Sequence, residues 1–171
     1  AGIGNVRING TGSTWTNNGI LNVGYGSGSK GALTIENGGT VTSLGAFIGY
    51  GVNDAAGSVK VNGSDSTWTN SGALYVGHGD TFNGSNNTGV LTIENGGIVT
   101  VGTPQGDGRH NGTVTLANGT SAKGTLNIGG TADSTAVNAG TLDAAKLVFG
   151  SGNGTLVFNH TSNDYDFFTA L

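Results

Sequence analysis

A phrase that occurs twice limits this chain more than anything else in it. Residues 13–17 read S-T-W-T-N, and the same five letters return at 66–70. Ahead of each copy stands an alternating triplet closed by Asn-Gly, Val6-Arg7-Ile8-Asn9-Gly10 and Val59-Lys60-Val61-Asn62-Gly63. Behind each comes a second triplet closed by Gly, Leu21-Asn22-Val23-Gly24 and Leu74-Tyr75-Val76-Gly77. The phrase L-T-I-E-N-G-G then follows at 33–39 and again at 91–97. Self-similarity at this scale is the mark of a stacked repeat, in which no unit buries its apolar face alone.

Triplets of the first kind begin at Val6, Leu33, Val59, Leu91, Val114, Leu142 and Leu156, so the unit is half the separation of Trp15 and Trp68. In the intervening unit T-V-T at 40–42 replaces T-W-T. The position held by Trp15, Val41 and Trp68 is therefore apolar and is expected to face inward. Each unit has three short segments of period-two alternation separated by Gly, Asn and Ser, which means strands joined by turns that need positive φ. Such strands are stable only if each coil lays them on those of the coil before. The fold expected is all-β, a right-handed, three-sided parallel β-helix of six to seven coils. At about 4.8 Å per coil it makes a rod segment about 30 Å long.

Composition agrees: 35 Gly, one Pro and 9% charged residues are unusual for a globular domain, yet Gly falls without a collagen triplet and Val, Ile and Leu return regularly. A net charge of −4 and six scattered basic residues exclude a phosphate-neutralising face, so no nucleic-acid partner is expected. Cysteine is absent, which in an exported β-rich chain removes any disulfide that would lock the fold before export. No signal peptide opens the sequence, and both ends fall within the pattern. The expectation is a single solenoid segment over 1–171, cut from a longer protein.

In chain order, the first coil is expected from Val6 to Gly31, the second from Ala32 to Gly57, and the third and fourth from Val59 and Val90. A fifth starts at Thr113 with a shortened middle segment. The looser end offers Thr141, Leu147 and Thr155 as strand starts. Length variation falls at 24–31, 49–57, 77–89, 102–112 and 129–140, and all of it is expected after the third strand of a coil. One edge of the rod would then carry every loop, and loops on a rigid scaffold are where function usually sits.

Gly154-Thr155-Leu156-Val157-Phe158-Asn159-His160-Thr161, followed by Asp164-Tyr165-Asp166-Phe167, resembles the segment near the end of AIDA-type autotransporter passenger domains. The T-W-T-N, L-x-V-G-x-G and L-T-I-E-N-G-G repeats are similar to passenger repeats of the same family, so the resemblance covers essentially the whole chain. It implies a right-handed β-helical passenger, exported through periplasm and outer membrane to a Gram-negative cell surface. Such a passenger serves adhesion, autoaggregation or biofilm formation. It also implies that 154–171 is a last coil leading toward an autochaperone region, and that anchoring is through a membrane barrel, neither of which is in this sequence.

Little else suggests chemistry. Gly26-x-Gly28-x-x-Gly31 matches a dinucleotide fingerprint in letters but is followed by a strand at 33–35, so no helix N-terminus faces a pyrophosphate. Asp164 and Asp166 alternate onto one face, where a solvated pair flanking inward Tyr165 or Phe167 outweighs a Ca²⁺ site. His78, His110 and His160 have no partner at metal-ligand spacing, and a turn hydrogen bond is the expected role of His160. Asn-Gly-Thr and Asn-Gly-Ser triplets are read as turns. The chain is expected to be no enzyme and to need no cofactor or metal. The runner-up is a carbohydrate-active β-helix enzyme of lyase or glycosidase type, which would require clustered carboxylates in a groove.

More suggestive is the outward side of the third strand. With Leu21 and Val23 inward, Asn22 faces out, and its expected equivalents are Phe47, Tyr75, Thr100 and Asn127. Just past the following Gly lie Tyr25, Tyr50 and His78. An exposed aromatic ladder of this kind stacks on sugar rings, packs against another rod, or merely stabilises the sheet. The interaction residues expected are Phe47, Tyr50, Tyr75 and His78, with Asp80 and Phe82 from the insertion at 80–88 and Arg109 and His110 from that at 104–111. Partners expected are identical rods, host or abiotic surfaces, or glycans.

Overall fold

A computed structural model describes residues 1–79 and 86–171. Three parallel sheets wrap one core. The first contains β1 (Ile3–Asn9), β4 (Lys30–Glu36), β7 (Ala56–Asn62), β10 (Thr88–Glu94), β13 (Lys123–Gly129) and β16 (Asn153–Asn159), neighbours in that order. The second contains β2 (Thr14–Thr16), β5 (Thr40–Ser43), β8 (Thr67–Asn70), β11 (Ile98–Val101) and β14 (Thr141–Asp143). The third contains β3 (Ile20–Tyr25), β6 (Gly45–Gly51), β9 (Leu74–Gly79), β12 (Thr113–Asn118) and β15 (Lys146–Phe149). Every strand pairs with the one three places on, which is a β-solenoid of five turns with β16 opening a sixth. The six to seven coils counted from the triplets are not reached.

Inward positions form ladders along the rod. Trp15, Val41, Trp68, Val99 and Leu142 lie in register across the second sheet. Trp68 is fully buried between Val41 and Val99, and its indole Nε1 donates to Ser43 Oγ at 3.1 Å. Ser43 in turn donates to Asn70 Oδ1 at 2.8 Å, and Asn70 Nδ2 closes the corner on the carbonyls of Gly72 and Ala73. A buried polar chain satisfied at each link fixes that corner without an orphaned group. Trp15 departs from expectation. It is only half-buried, because in the first turn it packs against Val41 from one side alone.

The register expected past Leu91 is wrong. Val114 belongs to the third sheet and Leu142 to the second, while Leu126 follows Leu91 in the first. T-V-T-L-A-N-G at 113–119 has the alternation and the Asn-Gly stop of L-T-I-E-N-G-G, so the two are indistinguishable locally. What separates them is the long excursion over 102–112 between β11 and β12, which delays the third strand of turn four. The same slip misplaces Thr100 and Asn127, which lie in the second and first sheets. The register partners of Tyr75 and Thr115 in the third are Thr115 and Val148 respectively.

The loops do not share one edge either. Those after β3, β6 and β9 leave the corner between the third and first sheets; 102–112 leaves the corner between second and third, and 130–140 that between first and second. At the third-to-first corner the sheets meet backbone to backbone. Gly24, Gly49 and Gly77 have φ of 72°, 71° and 74°, and a Cβ on each would lie 2.0 Å from the carbonyl oxygen of Ala56, Thr88 and Lys123. Only glycine is tolerated there, for conformation and for space alike.

Candidate interaction surface

The seam of glycines also aims the aromatic side chains. In β6, Ala46 and Ile48 point into the core and Phe47 out; strict alternation would then send Gly49 outward. Its left-handed backbone breaks the alternation, so Gly49 is buried and Tyr50 becomes the next outward residue. The same break places Tyr25 after Gly24 and His78 after Gly77. Two outward ladders result: Asn22, Phe47, Tyr75 and Thr115 in one, Tyr25, Tyr50, His78 and Asn118 in the other.

Five rings meet there. Phe47 and Tyr75 stack with centroids 4.9 Å apart and planes 8° from parallel, and Tyr50 lies 4.8 Å from Phe47. His78 sits edge-on to Phe47, Tyr50 and Tyr75 at 5.1, 4.8 and 5.2 Å. Tyr25 tilts against Tyr50 at 5.5 Å and is 61% exposed, whereas the other four are half-buried. Offset-stacked and edge-to-face pairs each add about 0.5–1.5 kcal/mol beyond area burial, so the cluster stiffens the sheet as well as presenting a surface. Phe47 and Tyr75 spend one face on each other and offer mainly their rims; the ring with the most open face is Tyr25. A cleft of about 150 Å³ lies beside it, lined by Tyr25, Gly26, Tyr50, Gly51 and Val52, with no Asp, Glu, Lys or Arg among them.

Asn87 supports the cluster, and sequence reasoning missed it. It is fully buried, accepts from Ala55 N at 2.9 Å, and donates from Nδ2 to the carbonyls of His78, at 2.7 Å, and Gly51. One side chain thus ties the loop after β9 to the ends of the strands that carry Tyr50 and His78. Nothing distinguishes that Asn in a run of Asn and Ser before the fold is known. Asp80 and Phe82, expected to join this surface, lie outside the described residues.

Arg109 and His110 belong elsewhere. They sit on the 102–112 excursion, which folds on itself through an antiparallel bridge of Pro104 with His110 and a bond from Gln105 N to Arg109 O at 2.7 Å. His110 is held to β14, Nδ1 lying 2.8 Å from Asp143 Oδ2 and its backbone nitrogen donating to Oδ1 at 3.2 Å. The Arg109 guanidinium lies 4.7 Å over the Phe168 ring. Both residues therefore pin a loop and the C-terminal segment at another corner, and the single functional edge expected from sequence is two separate places.

The C-terminal motif forms a second aromatic group. Phe158 packs edge-on to Phe167 at 5.2 Å, His160 lies 4.8 Å from Tyr165, and His160 bridges in parallel to Val137. Tyr165 donates to Gly140 O at 3.0 Å, and burial raises the pKa of its hydroxyl. Asp164 and Asp166 are exposed on either side of the half-buried Tyr165, as a solvated pair would be. Among the described residues no group of three or more His, Cys, Asp or Glu is placed to hold a metal.

The chain is 36% identical over 154 residues to the uncharacterized lipoprotein YdeK of Escherichia coli (strain K12), an alignment covering 86% of this chain and 10% of that protein. It is 34% identical over 100 residues to the adhesin BmaC autotransporter of Brucella suis biovar 1 (strain 1330), covering 57% of this chain and 3% of that one. The chain thus spans a tenth or less of the length of these curated relatives. No protein-family model matches it. No solved structure matches it either. A parallel β-solenoid and a partial likeness to an autotransporter adhesin are together compatible with a β-helical passenger.

Proposed function

We propose that this chain is a segment of a right-handed, AIDA-type autotransporter passenger, displayed on the outer surface of a Gram-negative cell, and that it acts without catalysis in adhesion, autoaggregation or biofilm formation. The observation that carries this reading is the half-exposed cluster of Tyr25, Phe47, Tyr50, Tyr75 and His78 on a face of a rigid rod. The likeness to an adhesin supports it. The outer face of the second sheet adds threonines in register, Thr14, Thr40 and Thr67 in one row and Thr16, Thr42 and Thr69 in the next. Each hydrogen bond such rows make to a neighbouring rod or to a glycan contributes about 1 kcal/mol net. Useful strength then comes from repetition along the rod and between many copies.

The test is a double replacement, Phe47→Ser with Tyr75→Ser, in the full-length protein displayed on cells. Secondary structure by circular dichroism should persist in the purified segment while aggregation or adhesion of the cells falls. Undiminished adhesion would refute the choice of this face. The non-catalytic part of the reading is checked by incubating the segment with polysaccharides, peptides and esters. A product whose release is abolished by Asp164→Asn or Asp166→Asn would overturn it.

A further inference from the structure

Eight Asn-Gly pairs fall among the described residues, with Asn83-Gly84 outside them, and such pairs are the peptide bonds most prone to intramolecular attack by the glycine nitrogen on the asparagine side chain. The structure guards most of them in one way. The nitrogens of Gly10, Gly38, Gly63, Gly96 and Gly112 donate to Glu36 O, Ser66 Oγ, Glu94 O, Ala139 O and Val101 O at 2.9 to 3.2 Å. A nitrogen engaged as a donor must give up that bond before it can act as a nucleophile. Asn118 and Asn153 are guarded differently, since both lie in strands, β12 and β16. Asn118 pairs with His78 and Asn153 with Lys123, and ring closure must disturb that pairing.

Asn18-Gly19 has neither protection. It lies in the bend between β2 and β3, Asn18 is exposed, and Gly19 N makes no hydrogen bond among the described residues. Gly19 has no positive φ, so the bend is not pinned in a conformation that only glycine adopts. The equivalent corner of the third turn reads Asn70-Ser71-Gly72, with Ser71 where the first turn has Asn18. That corner is closed by the same bond, Asn70 Nδ2 to Gly72 O as Asn17 Nδ2 to Gly19 O, without the reactive side chain.

We propose that Asn18 is a site of spontaneous deamidation and isomerisation, with water as its co-reactant. Gly19 N loses its proton to solvent base and bonds to Asn18 Cγ; the Cγ–Nδ2 bond breaks and the amide leaves as ammonia, taking up a proton. Water then opens the resulting succinimide at either carbonyl, giving aspartate or isoaspartate, and no electron is gained or lost by the chain. The product puts a new carboxylate on the corner that leads into β3, and the isoaspartyl form adds a methylene to the main chain just ahead of the strand that carries Tyr25.

The 171-residue chain, native and urea-unfolded, is aged side by side in mildly alkaline buffer. Peptide mass spectrometry follows amide loss, and isoaspartyl methyltransferase labelling follows isomerisation. In the native chain Asn18 should convert about tenfold faster than Asn9, Asn62 or Asn95, whose following nitrogens are tied up as donors; unfolding should bring these sites to similar rates. Asn18→Gln should remove the early product, and Gly19→Ala should slow it while leaving the fold intact by circular dichroism. Conversion led by Asn9, Asn62 or Asn95 in the native chain, or an Asn18 that stays amidated while the unfolded control reacts, would overturn the assignment.

Discussion

Replacing Trp68 by Ala tests the inward ladder most directly. The side chain is fully buried, and its neighbours along the rod, Val41 and Val99, are each held in register by a further strand, so the site has little freedom to collapse. A large-to-small change of this kind costs about 3–5 kcal/mol, and restricted relaxation puts it near the upper end. Loss of the indole donor to Ser43 adds about 1 kcal/mol at most, because Ser43 keeps its bond to Asn70. Trp15→Ala, in a half-buried copy of the same residue, should cost about half as much. With a urea m-value of about 2 kcal/mol/M, the midpoint should fall by about 2.5 M for Trp68→Ala and about 1.3 M for Trp15→Ala. Solenoid turns couple mainly to their neighbours, so hydrogen exchange should show the loss concentrated in turns two to four. Equal destabilisation by the two substitutions, or a cost below about 1 kcal/mol for Trp68→Ala, would refute the ladder argument.

Gly49→Ala, with its Cβ driven into Thr88 O and its φ of 71°, should cost about 2–4 kcal/mol in a denaturation curve. Gly106→Ala, which meets nothing and has no positive φ, should be nearly silent in the same assay. Tyr165 supplies a pH signature. Burial raises its pKa above the unfolded value of about 10, so its neutral form contributes stability that is fully present below about pH 10 and is lost as pH rises through the folded pKa. Melting temperatures taken across that range should fall for the wild type more steeply than for Tyr165→Phe. That variant should itself lose about 1 kcal/mol near neutrality with the bond to Gly140 O.

Much of this architecture could be read from spacing alone, because a repeat states its own register wherever its phrases are distinct. The inward role of Val41 followed from its occupying the place of a tryptophan, and the aromatic ladder from alternation plus the glycine that follows it. The reading failed at Val114. A strand of the third sheet there carries the alternation and the Asn-Gly stop of a first-sheet strand, and only the distant pairing with Leu74 tells them apart. Arg109 and His110 were misplaced by the same error. The long excursion that bears them leaves after the second strand of its turn, where Asp143 receives it. Asn87 had no local signature, since two of its three bonds reach Ala55 and Gly51, more than thirty residues away in sequence.

Where the third sheet meets the first, Gly24, Gly49 and Gly77 press directly on main chain, with no side chain between to yield. A rod built this way is not uniformly compliant. A Cβ on Gly39 or Gly97 would also meet main chain, 2.6 Å from Ile8 O and Val61 O, but the third-to-first contacts are closer, at 2.0 Å, and recur in three successive turns, a keel of abutting peptide units. Bending under shear should therefore displace this seam least. Tyr25, Tyr50 and His78 each follow one of the keel glycines by a single residue. The rings would keep their spacing while the remainder of the rod flexes, so a surface that depends on their register would stay assembled under load.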